Sequence, residues 1–90
     1  MIVARRMYVA GRVQGVGFRM FVRDVAVREN VRGWVRNLPD GRVEALVEGE
    51  SESVTRVERA LRAGPGHARV ETVNVVPEEP SGRFLGFEVG

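Results

Sequence analysis

The residue pattern predicts an α+β fold, a ferredoxin-like α/β sandwich in which one antiparallel sheet carries two helices on a single face. Three observations lead there. The apolar periodicities run in the order strand, helix, strand, strand, helix, strand; turns rich in glycine and proline separate them; and 90 residues suffice for one domain with a modest core.

The elements follow in order. Residues 2–10 are mostly apolar or aromatic, with Val3, Met7, Tyr8 and Val9, and stop at Gly11, which reads as a first strand. From Phe18 the period changes: Phe18, Phe21, Val22, Val25 and Ala26 follow the spacing of one helical face. That helix runs to about Glu29, where Asn30 takes the left-handed conformation that closes it. Residues 31–37 and 42–48 flank Leu38-Pro39-Asp40-Gly41, a turn in which proline presets φ and glycine supplies a positive one, so residues 31–48 read as a β-hairpin ended by Gly49.

Val54, Val57, Ala60 and Leu61 give a second amphipathic helix, capped near Ser51 and stopped by Gly64-Pro65-Gly66. A strand over residues 70–76 comes next, and its apolar positions change phase between Val70 and Val73 as at a β-bulge. Residues 77–83 read as a loop, and Phe87 and Val89 as a short last strand.

Composition narrows the function classes. A hydrophobic share of 43% suits a folded chain and not a disordered one. The absence of cysteine excludes disulfides, thiolate nucleophiles and cysteine-ligated metals, and a cytoplasmic location is expected. No apolar run approaches the roughly 20 residues of a membrane span, and Arg5 and Arg6 interrupt the N-terminal apolar stretch, so neither a membrane nor a signal peptide is expected. All fourteen basic residues are arginines, yet the net charge is only +2. Arg23, Arg28, Arg56, Arg59 and Arg62 lie in the two helices near Asp24, Glu52 and Glu58, which describes a solvated mixed-sign surface rather than a nucleic-acid stripe.

The residues that stand out chemically are Gly11-Arg12-Val13-Gln14-Gly15-Val16-Gly17-Phe18-Arg19, a glycine-bearing loop that leaves a strand and opens a helix. Gly15 and Gly17 let backbone N–H groups converge without Cβ obstruction, and the helix adds its unpaired donors and positive dipole end. Arg19 supplies a planar, permanently charged fork suited to two phosphate oxygens. Asn37, at the end of the second strand, carries an amide that both donates and accepts; beside a phosphoryl group it would hold a water, and otherwise it is a turn-flanking residue. His67, in the Gly64-Pro65-Gly66 turn, reads as a solvent-facing loop residue, and no His or carboxylate cluster has metal-ligand spacing. Trp34 reads as a core or sheet-face residue.

These motifs, with Gly33-Trp34-Val35-Arg36-Asn37, Asp40-Gly41, Gly49-Glu50, Gly64-Pro65, Ala68-Arg69-Val70 and a terminal Phe87 in the same order, mean that the chain resembles the acylphosphatase family over nearly its whole length. The resemblance implies hydrolysis of a carboxylic-phosphoric mixed anhydride to a carboxylate and inorganic phosphate, with no cofactor, metal or covalent intermediate. Arg19 and Asn37 match the family's catalytic residues, and the backbone of Gln14, Gly15, Val16, Gly17, Phe18 and Arg19 matches its phosphate cradle. A small acyl phosphate is the implied substrate, with inorganic phosphate or sulfate as a site ligand. Where the family commonly has leucine-glycine at the end of the first helix, this chain has Glu29-Asn30, so the Glu29 carboxylate is expected to reach solvent.

Two rival readings keep the fold. A non-enzymatic phosphate- or RNA-binding module would need aromatics exposed on the central strands, and the Gly17-Phe18 pair lies in a loop instead. Acylphosphatase-like domains also occur fused in carbamoyl-transfer maturation proteins; a chain of this length without zinc-finger cysteines is expected to be free-standing. A monomer and broad acyl selectivity are the simpler expectations.

Overall fold

A computed structural model describes residues 1–90. It contains β1 (Ile2–Arg12), α1 (Phe18–Arg28), β2 (Arg32–Asn37), β3 (Val43–Glu50), α2 (Ser51–Ala63), β4 (Arg69–Glu78) and β5 (Phe87–Val89) in one sheet of order β4-β1-β3-β2-β5. The expected α+β sandwich is present, with one change: the four long strands pair antiparallel, whereas β5 runs parallel to β2, pairing Val35 with Val89, so the sheet is mixed. No helix is long and apolar enough to cross a membrane.

Strand pleating sorts the residues. Met7 and Val9 of β1, Val35 of β2 and Val43, Ala45 and Val47 of β3 meet Phe18, Val22, Val25 and Ala26 of α1 and Val54, Val57 and Leu61 of α2 in one buried cluster. Each helix presents one apolar stripe to the same side of the sheet, as their spacing predicts. α1 closes in a Schellman motif: Asn30 has φ 59°, its N–H donates to the Val27 carbonyl at 3.1 Å, and that of Val31 donates to Ala26 at 2.8 Å. Glu29 is less exposed than expected, its side chain 17% accessible, and its carboxylate accepts from Arg56 Nε at 2.7 Å. At α2 the cap position is Glu50 rather than Ser51.

β3 continues through Gly49, and β4 runs past residue 76 to include Pro77. β4 is an edge strand, the place in a sheet where a proline lacking its N–H is tolerated. The predicted bulge is real: Ala10 pairs with Thr72 and Gly11 with Val70, which leaves Glu71 over.

The open face of the sheet is a charged layer. Glu44 and Glu48 alternate with core residues and would read as solvent-facing, yet both are buried. Glu44 accepts from Arg6 Nη1 and Arg36 Nε, each at 2.8 Å, and the same guanidiniums lie 5.5 and 4.9 Å from the Trp34 ring centre, while Arg42 lies 5.0 Å from that of Tyr8. Glu48 accepts from the backbone N–H of Ser81 at 2.7 Å and of Gly82 at 2.8 Å, pinning the segment that leads to β5. Burial would raise both carboxyls, but the arginine hydrogen bonds at Glu44 and the backbone N–H groups at Glu48 outweigh it and hold both below the usual carboxylate range. No buried side-chain polar atom is left without a partner.

Candidate active site

The loop between β1 and α1 leaves the sheet at the end where β2 finishes. Val9 pairs with Val43 and Val43 with Asn37, so the C-terminal ends of β1 and β2 share one sheet edge. Asn37 is two residues after the buried Val35, and the period of two turns it toward the helix side, where α1 begins. Strand direction and register, which the sequence leaves open, thus bring Asn37 to the Arg19 loop. The two residues line one cleft of about 150 Å³, together with Val13, Gly15, Gly17, Phe18, Met20 and Val89.

Gly15 and Gly17 have φ of 76° and 77°, and an added Cβ at either position would meet nothing within 4 Å. Their requirement is conformational, a left-handed backbone that ordinary residues adopt only at a cost. The result is a run of donors: no backbone N–H from Gln14 to Arg19 donates to another backbone carbonyl. Gly17 is also the N-cap of α1, with no side chain bonding the first turn, so those N–H groups and the dipole end stay free for an anion.

Arg19 pairs with no aspartate or glutamate side chain; Arg36, also near the end of β2, is by contrast tied to Glu44. The Arg19 Nη1 instead donates to the Gly90 oxygen, a contact that orients the guanidinium. Gly90 is held there by its own N–H, which donates to Val35 at 2.7 Å. Asn37 is solvent-exposed.

Of the six residues expected in the cradle, Gly15, Gly17, Phe18 and Arg19 line the cleft and Gln14 and Val16 do not. Val16 packs against the core. Gln14 turns its side chain toward the β2–β3 turn, and its Nε2 donates to the carbonyls of Leu38 at 2.8 Å and Arg42 at 2.9 Å. It thereby ties the loop that carries Arg19 to the turn that follows Asn37. Val13, Met20 and Val89 are the cleft residues outside the expected site set; Val13 and Met20 flank the loop, while nothing local in the sequence signals the pairing of β5 with β2 that brings Val89 in. His67 is exposed, as expected.

A wider depression of about 400 Å³ over α2 is lined by Arg5, Ser51, Glu52, Thr55, Arg56 and Arg59. Arg5 there bonds Thr55 and Glu58, and Arg56 bonds Glu29, so two of its three cations are already neutralised. Arg59 remains free there, but the Glu52 carboxylate shares that depression, whereas the small cleft is lined by no acidic side chain.

The acylphosphatase family model matches residues 5–89. The acylphosphatase of Rubrobacter xylanophilus is 58% identical over 84 residues, which cover 93% of this chain and 76% of that protein. The crystal structure of acylphosphatase from Bacillus subtilis superposes with a TM-score of 0.94 at 36% identity, covering 100% of this chain and 99% of that one. The structure of an acylphosphatase from Coxiella burnetii gives 0.94 at 35% identity, covering 99% and 93%.

Proposed function

The chain belongs to the acylphosphatase family, and from that premise we propose that it hydrolyses small acyl phosphates by in-line attack of a water on phosphorus, with Arg19 and the loop N–H groups holding the phosphoryl group and Asn37 holding the water. The single observation that carries this reading is the cleft that brings together Arg19, which pairs with no aspartate or glutamate, loop residues whose backbone N–H groups bond no other backbone carbonyl, and an exposed asparagine.

The chemistry needs little else. The water oxygen forms a bond to phosphorus while the bridging P–O bond breaks, and the acyl oxygen leaves with the electron pair as a carboxylate. A carboxylate is stable at neutral pH, so no acid need protonate it. The proton of the water passes to a phosphoryl oxygen, giving dihydrogen phosphate. Charge spread over the equatorial oxygens meets Arg19 and the N–H groups, which are already oriented before substrate arrives. Asn37 contributes positioning: its carbonyl accepts one water hydrogen and turns a lone pair toward phosphorus.

Hydrolysis of benzoyl phosphate in ¹⁸O-water, with EDTA present, tests this. The expected result is rapid turnover with the label in inorganic phosphate. Label in benzoate would place attack at the carbonyl carbon and overturn the role given to Asn37; loss of turnover on chelation would overturn the metal-free mechanism.

A further inference from the structure

The two edges of the sheet differ. β5 has three residues, whereas β4 has ten and pairs on one side only, with β1. None of the backbone hydrogen bonds made outside helices and strands involves residues 69–78, so the outer side of β4 is unpartnered within the molecule. Its packing is one-sided as well. Val73 and Val75 lie opposite the buried Val9 and Met7 and pack on the core, yet both are only half-buried, because no strand flanks β4 on the outside. On the open face Thr72 and Asn74 are exposed, and Val76 is 40% exposed.

We propose that β4 is a self-association edge, at which two copies of this chain pair antiparallel about a two-fold axis through Asn74 and join their sheets into one. The run Thr72-Val73-Asn74-Val75-Val76 sets the register: it carries no charge and lies between the bulged Glu71 and the pair Pro77-Glu78. Opposed residues of an antiparallel pair share a face, so a junction that keeps all helices on one side centres on a residue and not between two. Centring on Asn74 sets Val73 against Val75 of the second copy on the helix side and Thr72 against Val76 on the open face. The two Asn74 amides then meet at the axis, where each donates and accepts. Centring on Val73 would set Glu71 against Val75, and centring on Val75 would set Pro77 against Val73 and Glu78 against Thr72. α2 packs on β1, β3 and β4, and the two β1 strands would stand three strand spacings apart, roughly 14 Å, enough for two helices about 10–12 Å wide. Each copy uses its one long edge, so association closes at a dimer. No residue of β4 lines the cleft that holds Arg19 and Asn37, so pairing does not touch its walls. One strand from each copy makes a small junction, in the class of weak, transient interfaces, with half-association on the order of 0.1–1 mM.

Because the chain has no cysteine, single-thiol variants report the register directly. Asn74→Cys, Thr72→Cys and Val76→Cys all fall at exposed positions, where the fold is undisturbed. Directly opposed Cβ atoms stand about 4.5–5.5 Å apart, close enough for a disulfide, whereas residue 72 would lie roughly 14 Å from residue 72 of the second copy. Near-millimolar protein is incubated with oxidised glutathione, and cross-linked dimer is followed by non-reducing electrophoresis. Asn74→Cys is expected to cross-link at least about tenfold faster than either other variant alone, and an equal mixture of Thr72→Cys and Val76→Cys to match it. Sedimentation equilibrium of the wild type is expected to show an average mass rising from 10.0 kDa toward twice that value with concentration. A wild type that stays monomeric up to about 1 mM would overturn the interface. Equal cross-linking rates in the single variants, with no excess in the mixture, would overturn the pairing about Asn74 even if the wild type associates.

Discussion

Replacing Gln14 by Met removes two hydrogen bonds and almost no volume. The Nε2 of Gln14 donates to Leu38 and Arg42 across the gap between the phosphate loop and the β2–β3 turn. Each carbonyl keeps a second donor, since Gly41 N–H bonds Leu38 at 3.2 Å and Leu38 N–H bonds Arg42 at 2.8 Å, so neither is orphaned. The stability cost falls at the low end for a hydrogen bond, about 0.5 kcal/mol each and about 1 kcal/mol together, or a Tm lower by roughly 4–8 °C for a domain of this size. The catalytic cost is larger, because the loop and Asn37 lose their only side-chain tie, and a displacement near 1 Å costs on the order of 10²-fold in rate. Stopped-flow hydrolysis of benzoyl phosphate, with the inhibition constant of inorganic phosphate and a thermal melt, separates the two. The expected outcome is a kcat down by about 10- to 100-fold with phosphate inhibition within a few-fold of wild type. If Gln14 acts through Asn37, the same substitution made on Asn37→Ala costs under twofold more. Full additivity of the two losses, or a wild-type kcat in Gln14→Met, would refute the reasoning.

Glu44 and Glu48 titrate below the usual carboxylate range in the folded protein. The unfolded chain therefore binds protons that the folded one does not: their stabilisation is complete above the unfolded value of about 4.3 and is lost as pH falls through the folded values. Urea midpoints should be flat from pH 7 to 5, fall below that, and fall less steeply in Glu48→Gln, which starts from a lower midpoint; equal acid slopes in the two proteins would contradict this. Gly17→Ala puts a Cβ into open space at φ 77°, so it should cost about 1 kcal/mol in a melt while kcat/KM falls by less than tenfold. Gly33→Ala, whose Cβ would lie 1.8 Å from the Leu46 carbonyl oxygen, should give no soluble folded protein; a stable Gly33→Ala would mean that β2 shifts more freely than its pairing suggests.

What the sequence discloses and what it hides divide along physical lines. α1 is legible because Phe18, Phe21, Val22, Val25 and Ala26 repeat at helical spacing and Asn30 signals the stop, and the phosphate loop is legible because Gly15 and Gly17 sit where a strand turns into a helix. These are local effects. The meeting of Asn37 with Arg19 is not local: it depends on a register that runs through Val43 of an intervening strand. Glu48 misleads for a related reason. Alternation marks it as solvent-facing, yet its carboxylate is buried by the Ser81-Gly82 backbone, and that anchored segment delivers β5 to β2. A three-residue strand has too little pattern of its own to announce a parallel partner, so Val89 enters the cleft, and Gly90 reaches Arg19, unannounced.

The account stands on a division of labour between Arg19 and Asn37, and the direct measurement is kcat for benzoyl phosphate together with the inhibition constant of inorganic phosphate in Arg19→Ala and Asn37→Ala, each verified as folded. The expected result is loss of both phosphate binding and turnover in Arg19→Ala, against a kcat lower by about 10²–10³ with phosphate affinity within a few-fold of wild type in Asn37→Ala. Near-wild-type turnover in either variant, or equal loss of phosphate affinity in both, would contradict it.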